Sequence, residues 1–273
     1  MKLTIYQVDA FTNKLFGGNP AAVIPLDTWI DDSLMQQIAM ENNLAETVFF
    51  VPAMHSSPKG GDREGAGFHI RWFTPELEID LCGHATLASA YVLYEFLGYD
   101  KPAISFTSKS GELLVTKKDN RLELNFPSRM PELITDYPDE LLKGLGITNP
   151  VAVYKSRDYV VELENQKQLL QVKPDFGLLN KIDVIGIIIT APGIDCDFVS
   201  RFFAPNCGVP EDSVTGSAHS TLIPFWAQKL NKSSLYARQL SQRGGELWCE
   251  LLKDDRVLIA GECVFYMKGE ITV

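Results

Sequence analysis

Leu81-Cys82-Gly83-His84-Ala85-Thr86-Leu87-Ala88-Ser89-Ala90-Tyr91-Val92-Leu93 is the stretch that decides the fold. From His84 to about Leu97, the side chains Ala85, Leu87, Ala88, Ala90, Tyr91, Val92, Leu93, Phe96 and Leu97 fall on every face of a helix, the pattern of a helix surrounded by protein. Such a helix must be wrapped, and sheet is the natural wrapping. Its start brings Gly83 together with the unpaired N–H groups of a first turn, which attract anions through free donors and the helix dipole. Function is therefore expected at this end of the helix.

Outward from it, the chain reads mostly as strand. Thr4 to Asp9 alternates, the turn-rich segment Phe11 to Pro20 ends in Gly17-Gly18-Asn19-Pro20, and Ala21 to Pro25 forms a second strand. Asp31-Asp32-Ser33 offers caps for a helix through Leu34, Ile38 and Met40, and Glu46 stands at the mouth of the apolar strand Val48 to Val51. His55 to Gly67, with three glycines and a proline before Gly67 itself, reads as a hairpin tip or a lid ahead of the strand Phe68 to Phe73. Strands follow the helix at Ala103 to Thr107, Leu113 to Thr116 and Leu122 to Phe126. Pro127 to Pro150, with a short helix at Asp139 to Leu145, reads as the interdomain connection. Beyond it come strands at Val151 to Tyr154 and Tyr159 to Leu163, a helix from Asn165 to Gln171, and an apolar strand at Asp183 to Thr190.

The pattern then repeats. Ile70-Arg71-Trp72-Phe73-Thr74-Pro75, followed by an acid and the Cys82-Gly83-His84 helix, has a counterpart in Ser200-Arg201-Phe202-Phe203-Ala204-Pro205, followed by Glu211-Asp212 and Thr215-Gly216-Ser217-Ala218-His219. Ser110-Gly111-Glu112-Leu113 likewise matches Gly244-Gly245-Glu246-Leu247. The glycines stand 133 and 134 residues apart, which points to a duplicated fold. Two domains of a curved sheet around a buried helix can face one another with both helix starts in one cleft, a favoured ligand site.

With 273 residues and 45% hydrophobic content, the chain can bury one large core or two ordinary ones, and length favours two. Its 25 basic residues are scattered against 35 acids, for a net charge of −10, which speaks against a nucleic-acid partner. A strand-like first segment without a cleavage site, and the lack of any apolar run near the ~18 residues of a membrane span, lead to the expectation of a cytoplasmic protein without a membrane partner. Five cysteines without a CxxC pair suggest neither a disulfide framework nor a zinc ribbon, and apart from Cys82 they read as ordinary buried thiols.

Gly18-Asn19-Pro20-Ala21-Ala22-Val23, Asn43-Leu44-Ala45-Glu46-Thr47, Leu81-Cys82-Gly83-His84-Ala85-Thr86 and Glu211-Asp212-Ser213-Val214-Thr215-Gly216-Ser217-Ala218-His219 occur in this order over essentially the whole chain. Together they resemble the phenazine-biosynthesis (PhzF-type) isomerase family. The resemblance implies an α+β fold like that of diaminopimelate epimerase: two pseudo-symmetric lobes, each a barrel-like sheet around a central buried helix. It places the N-terminal lobe at 1–127, possible return of the strand 265–273 to it, and the C-terminal lobe at 128–273. It also implies a homodimer, no cofactor and no metal, and a small carboxylate-bearing substrate on which a proton is moved.

By the same resemblance, Glu46 matches the catalytic acid/base, with His84 and Asp212 as the other polar catalytic residues. Asn19, Gly83, Gly216 and Ser217 match the substrate-binding positions. Physically, a carboxyl beside Leu44, Ala45 and Val48 can have its neutral form favoured by desolvation, which suits proton transfer. Without the resemblance, Glu46 reads as a solvated strand-start acid, His84 as a cap and Asp212 as a helix N-terminal partner. His219 and Thr215 read as structural.

The alternative in the same class is an amino-acid racemase or epimerase using Cys82. It needs a second thiol, which the repeat would place at Thr215, a residue without useful acidity near neutral pH. A reading of another class is a non-catalytic small-anion-binding protein. Two departures from the family pattern stand out: Ser213 follows the aspartate where proline is frequent, and Pro224 lies inside the second helix, where it should bend or interrupt it.

Overall fold

A computed structural model describes residues 1–53 and 67–273, so the stretch read as a lid lies outside the described residues except for Gly67. The chain divides into two compact units, Met1–Asn125 with Ala260–Val273, and Phe126–Ile259. Among the described residues no helix is long and apolar enough to cross a membrane.

The first unit is built on β1 (Lys2–Ala10), β2 (Asn19–Pro25), α1 (Asp32–Asn42), β3 (Glu46–Pro52), β4 (Phe68–Phe73), β5 (Glu78–Ile79), α2 (Gly83–Phe96), β6 (Ala103–Ser108), β7 (Gly111–Lys118) and β8 (Arg121–Pro127). β1 and β2 are antiparallel, β2 and β3 parallel, and β3 and β4 antiparallel; β4 takes β5 antiparallel and β6 parallel, and β7 and β8 continue as hairpins. The sheet wraps α2, which packs on β1, β2 and β3 and is buried from Gly83 through Ala90 and again at Val92 and Leu93. Only its last turn emerges, where Phe96 and Leu97 reach solvent. α1 covers the other face through Met35, Ile38 and Ala39, against Ala22, Ile24, Phe49 and Phe73. Asp31 occupies the N-cap position of α1 without a side-chain cap bond, and Met40 faces solvent.

The second unit follows with β9 (Glu132–Ile134), α3 (Asp139–Leu145), β10 (Ala152–Lys155), β11 (Tyr159–Glu162), α4 (Gln166–Gln171), α5 (Phe176–Leu179), β12 (Ile187–Pro192), β13 (Phe198–Ala204), β14 (Val209–Asp212), α6 (Gly216–Leu230), β15 (Ser234–Gln239), β16 (Gly245–Leu251) and β17 (Arg256–Gly261). Its pairings run in the same sequence: β10 with β11 antiparallel, β11 with β12 parallel, β12 with β13 antiparallel, then β13 with β14 antiparallel and with β15 parallel, and β15 with β16 antiparallel. α6 plays the part of α2, buried at Gly216 and from Ala218 through Ala227.

The last strand, β18 (Cys263–Thr272), pairs antiparallel with β1 from Lys2↔Thr272 to Ala10↔Cys263, with an irregularity at Gln7/Val8. Three sequence expectations need correction. The segment 127–150 is part of the second unit, because β9 pairs with β10 and Leu141 and Leu145 are fully buried in its core. The apolar strand begins at Ile187, and Asp183 to Gly186 is loop, since hydrophobicity alone does not mark where ladder bonding starts. Pro224 does not interrupt α6; the carbonyl of Ser220 that it leaves without a helical donor accepts instead from the Arg129 N–H at 2.9 Å.

The duplication extends to side chains. Arg71 forks onto Glu78 through Nε and Nη2 at 2.8 and 2.9 Å, and Arg201 forks onto Glu211 in the same way at 2.8 and 3.0 Å. Each guanidinium also lies over the phenylalanine two residues on, Phe73 or Phe203.

Candidate active site

The strand turn before β2 places the first site residue. Gly18 has φ +62, and a Cβ there would lie 2.1 Å from the Ala10 carbonyl oxygen, so only glycine fits. Asn19 follows it as the first, fully buried residue of β2. The parallel ladder then sets Glu46, the first residue of β3, opposite Ala21.

At the start of α2 these meet His84. Its Nε2 lies 2.7 Å from Glu46 Oε2, and its Nδ1 lies 3.1 Å from Asn19 Nδ2. All three side chains are buried. With the Asn19 amide donating to Nδ1, the ring carries its proton on Nε2, the atom 2.7 Å from the Glu46 carboxylate; turning the amide would present its oxygen to Nδ1–H and suit the imidazolium. Burial disfavours a charge on His84, but Cys82 and the Glu46 carboxylate override it and hold the imidazole well above its ordinary value. Glu46 and His84 thus stand at proton-transfer distance from one another.

Cys82 is buried and lies against the ring, with Sγ 3.5 Å from His84 Nδ1. Burial, seconded by the Glu46 charge, pushes this thiol up to about 11. Cys82, His84 and Glu46 bring three ligand-type atoms within 4.8 Å of one another. The 2.7 Å contact is a hydrogen-bond length, whereas two such ligands on one tetrahedral zinc stand about 3.3 Å apart. The spacing suits a shared proton better than a metal cage.

The second unit gathers the other expected residues. Asp212, the last residue of β14, accepts from the Thr215 hydroxyl at 2.6 Å. Gln239 ties this turn together: its Nε2 donates to the Asp212 carbonyl at 2.8 Å and its Oε1 accepts from the Thr215 N–H at 2.9 Å. The Ser213 carbonyl accepts from Ser241 Oγ at 2.8 Å, so the loop lacking proline is held by hydrogen bonds. Gly216 and Ser217 open α6. Neither α2 nor α6 has a side-chain cap bond at its start, which leaves first-turn N–H groups to a ligand. Behind each start, the carbonyl of the N-cap residue is held from one turn on: Thr86 Oγ1 donates to Cys82 at 2.6 Å, and His219 Nδ1 to Thr215 at 2.8 Å.

Three residues escaped the sequence reading. Arg157 donates from Nη2 to Ser217 Oγ at 3.2 Å and is paired with the buried carboxylate of Asp158 at 2.8 Å. Gln239 is fully buried in the Asp212 turn. The signal for Arg157 lay in register. Ala21↔Glu46 and Tyr159↔Ile187 are the first pairs of the two parallel ladders, so Arg157 stands where Asn19 stands in the first unit.

The match to known proteins is extensive. Residues 8–269 fit the profile of the phenazine biosynthesis-like protein family, PhzC-PhzF. An uncharacterized isomerase of Pseudomonas aeruginosa is 50% identical over 274 residues, covering 99% of both chains. The crystal structure of a phenazine biosynthesis protein of the PhzF family from Enterococcus faecalis, 44% identical, superposes with a TM-score of 0.90 over 100% of both chains. A hydroxyproline epimerase from Agrobacterium vitis shares the fold alone, at 10% identity and a TM-score of 0.62 over 99% of this chain and 92% of that one. Four motifs in order, a duplicated sheet around two buried helices and a profile match over nearly every residue have one reading: the chain belongs to the phenazine biosynthesis-like (PhzC-PhzF) family.

Proposed function

We propose that the protein is a cofactor-independent isomerase that moves a proton on a small carboxylate-bearing substrate, with Glu46 as the acid/base. The observation that carries this reading is the buried 2.7 Å contact between Glu46 and His84. In its protonated form Glu46 gives a proton to one substrate carbon, and its carboxylate takes one from another, so that a double bond shifts with no net change in oxidation state. His84 shares that proton and is oriented by Asn19. In the first unit Gly83 offers a substrate carboxylate the helix-start donors of α2, and in the second unit Gly216 and Ser217 offer those of α6 beside Asp212. The isomerase names carried by relatives support the reaction class.

A two-thiol epimerisation is disfavoured, because Thr215 stands in the place of the second thiol and its hydroxyl is engaged by Asp212. The same proposal includes a cytoplasmic homodimer with no nucleic-acid or membrane partner, which sedimentation and fractionation test. The decisive experiment is Glu46→Gln: turnover should fall by about 10²- to 10⁴-fold while ligand binding, followed by thermal stabilisation with a carboxylate library, stays intact. Wild-type turnover in that variant sinks the assignment.

A further inference from the structure

We infer that the second unit carries an additional oxyanion site, in which Arg157 and Arg129 hold a second acidic group of the substrate whose first carboxylate is bound at Ser217. The assignment to the substrate rests on the proposed role of Ser217; the anion site itself does not.

Arg157 is held in place from one side. Its Nε and Nη2 are committed to Asp158, whose side chain is 1% exposed, and Nη2 also reaches Ser217 Oγ. Its Nη1 makes no hydrogen bond to any described residue, so the outer edge of a fixed guanidinium fork is left to a ligand. Away from Ser217 and Arg129, Arg157 also borders an open cavity of about 690 Å³ with Lys155 and Lys181, where Asp183 is the one acid among the described lining residues. In a chain of net charge −10, this is a local reversal of sign.

Arg129 adds a second cation. Its main chain is pinned to the Ser220 carbonyl that Pro224 leaves free, and its half-buried guanidinium has no hydrogen bond or ion pair with any described residue. Burial and then the Arg157 charge work against its own charge, while Asp158 favours it. Arg129 thus adds a second positive charge near the Arg157–Asp158 pair without pairing with Asp158 itself, an arrangement completed by an incoming anion. The chemistry that fits is a carboxylate or a phosphate.

The test is calorimetric titration of the full chain with inorganic phosphate and, separately, with succinate, at constant ionic strength. One of the two should bind saturably at one site per chain, and the tighter one identifies the group. Arg157→Met and Arg129→Met should each weaken it about tenfold or more, the loss expected for a charged hydrogen bond. Arg157→Lys should fall between, and Lys143→Met, on the exposed α3, should match wild type; circular dichroism checks that each variant folds. Failure of both anions to bind saturably, or binding unchanged in both arginine-to-methionine variants, overturns the proposal. Because the readout needs no turnover, such a failure leaves the role of Glu46 standing, and an active Glu46→Gln protein leaves the anion site standing.

Discussion

The two units run the same strand order around a buried helix, yet matched positions carry opposite chemistry. Where the first parallel ladder begins at Glu46, the second begins at fully buried Ile187. Where the second unit has Asp212 opposite Phe202, the first has Ile79 opposite Trp72. His84, Cys82 and Asn19 give way to Ser217, Thr215 and Arg157. The first unit collects Glu46, His84 and Cys82, whereas the second joins the carboxylate of Asp212 to hydrogen-bond donors and the fixed charge of Arg157. One scaffold thus occurs twice, and on the proposed function its two copies divide binding from proton transfer.

The largest effect that would break this division is on turnover. Glu46→Gln should lower kcat by about 10²- to 10⁴-fold, measured on the true substrate. An equal loss from removing any one side chain of the second unit would show that the division is false.

The next contrast concerns the twin Arg–Glu forks. Arg201 also donates to the carbonyls of Leu169 and Val172, whereas the third partner of Arg71 is the exposed Asp32. Arg201→Met should therefore cost about 3 kcal/mol in denaturant unfolding, and Arg71→Met about 1 to 2 kcal/mol. Equal costs would mean that the forks alone carry the energy.

The two helix-start histidines should give stability opposite dependences on pH. Burial pushes His219 down to about 4, so its native form resists protonation where the unfolded chain accepts it. Its stabilising contribution is present above the unfolded value near 6.5 and is lost as pH falls from there towards 4, by up to about 3 kcal/mol. His84 is raised, so its contribution is present at low pH and lost as pH rises through its folded value. Unfolding of His219→Gln across this range should show a flatter acid limb, with the alkaline limb unchanged.

The smallest effect is expected from Pro224→Ala. The new N–H of residue 224 regains the Ser220 carbonyl for the helix while Arg129 loses it, so thermal stability should change by about 1 kcal/mol or less. Phosphate or succinate affinity should nevertheless fall, since Arg129 is released.

Much of this was legible in the sequence because it is local. The all-round apolar pattern after Gly83 marked the central helix, and the near-constant offset of the Arg–aromatic and glycine motifs marked the duplication. Arg157 was not legible because the links differ: β1 and β2 are joined by a long loop that includes Gly17 and Gly18, β10 and β11 by three residues, which shifts the offset and hides the pairing with Asn19. Gln239 carries no motif; its meaning arises when β15 brings it beside the Asp212 turn. Likewise Pro224 read as a break in a helix, whereas the helix persists and its spare carbonyl holds another segment.

The pairing of β1 with β18 has a consequence for biogenesis. The second unit is one continuous stretch of chain and can close as soon as its own residues are made, but the sheet of the first unit joins Lys2 to Thr272. During synthesis, the half that emerges first must therefore wait with one edge of β1 uncovered until the final strand arrives. This is a long-range closure of the kind that slows folding and invites intermolecular strand pairing. The later-made half is expected to be the earlier to fold, and loss of the last ten residues should be felt at the opposite end of the sequence.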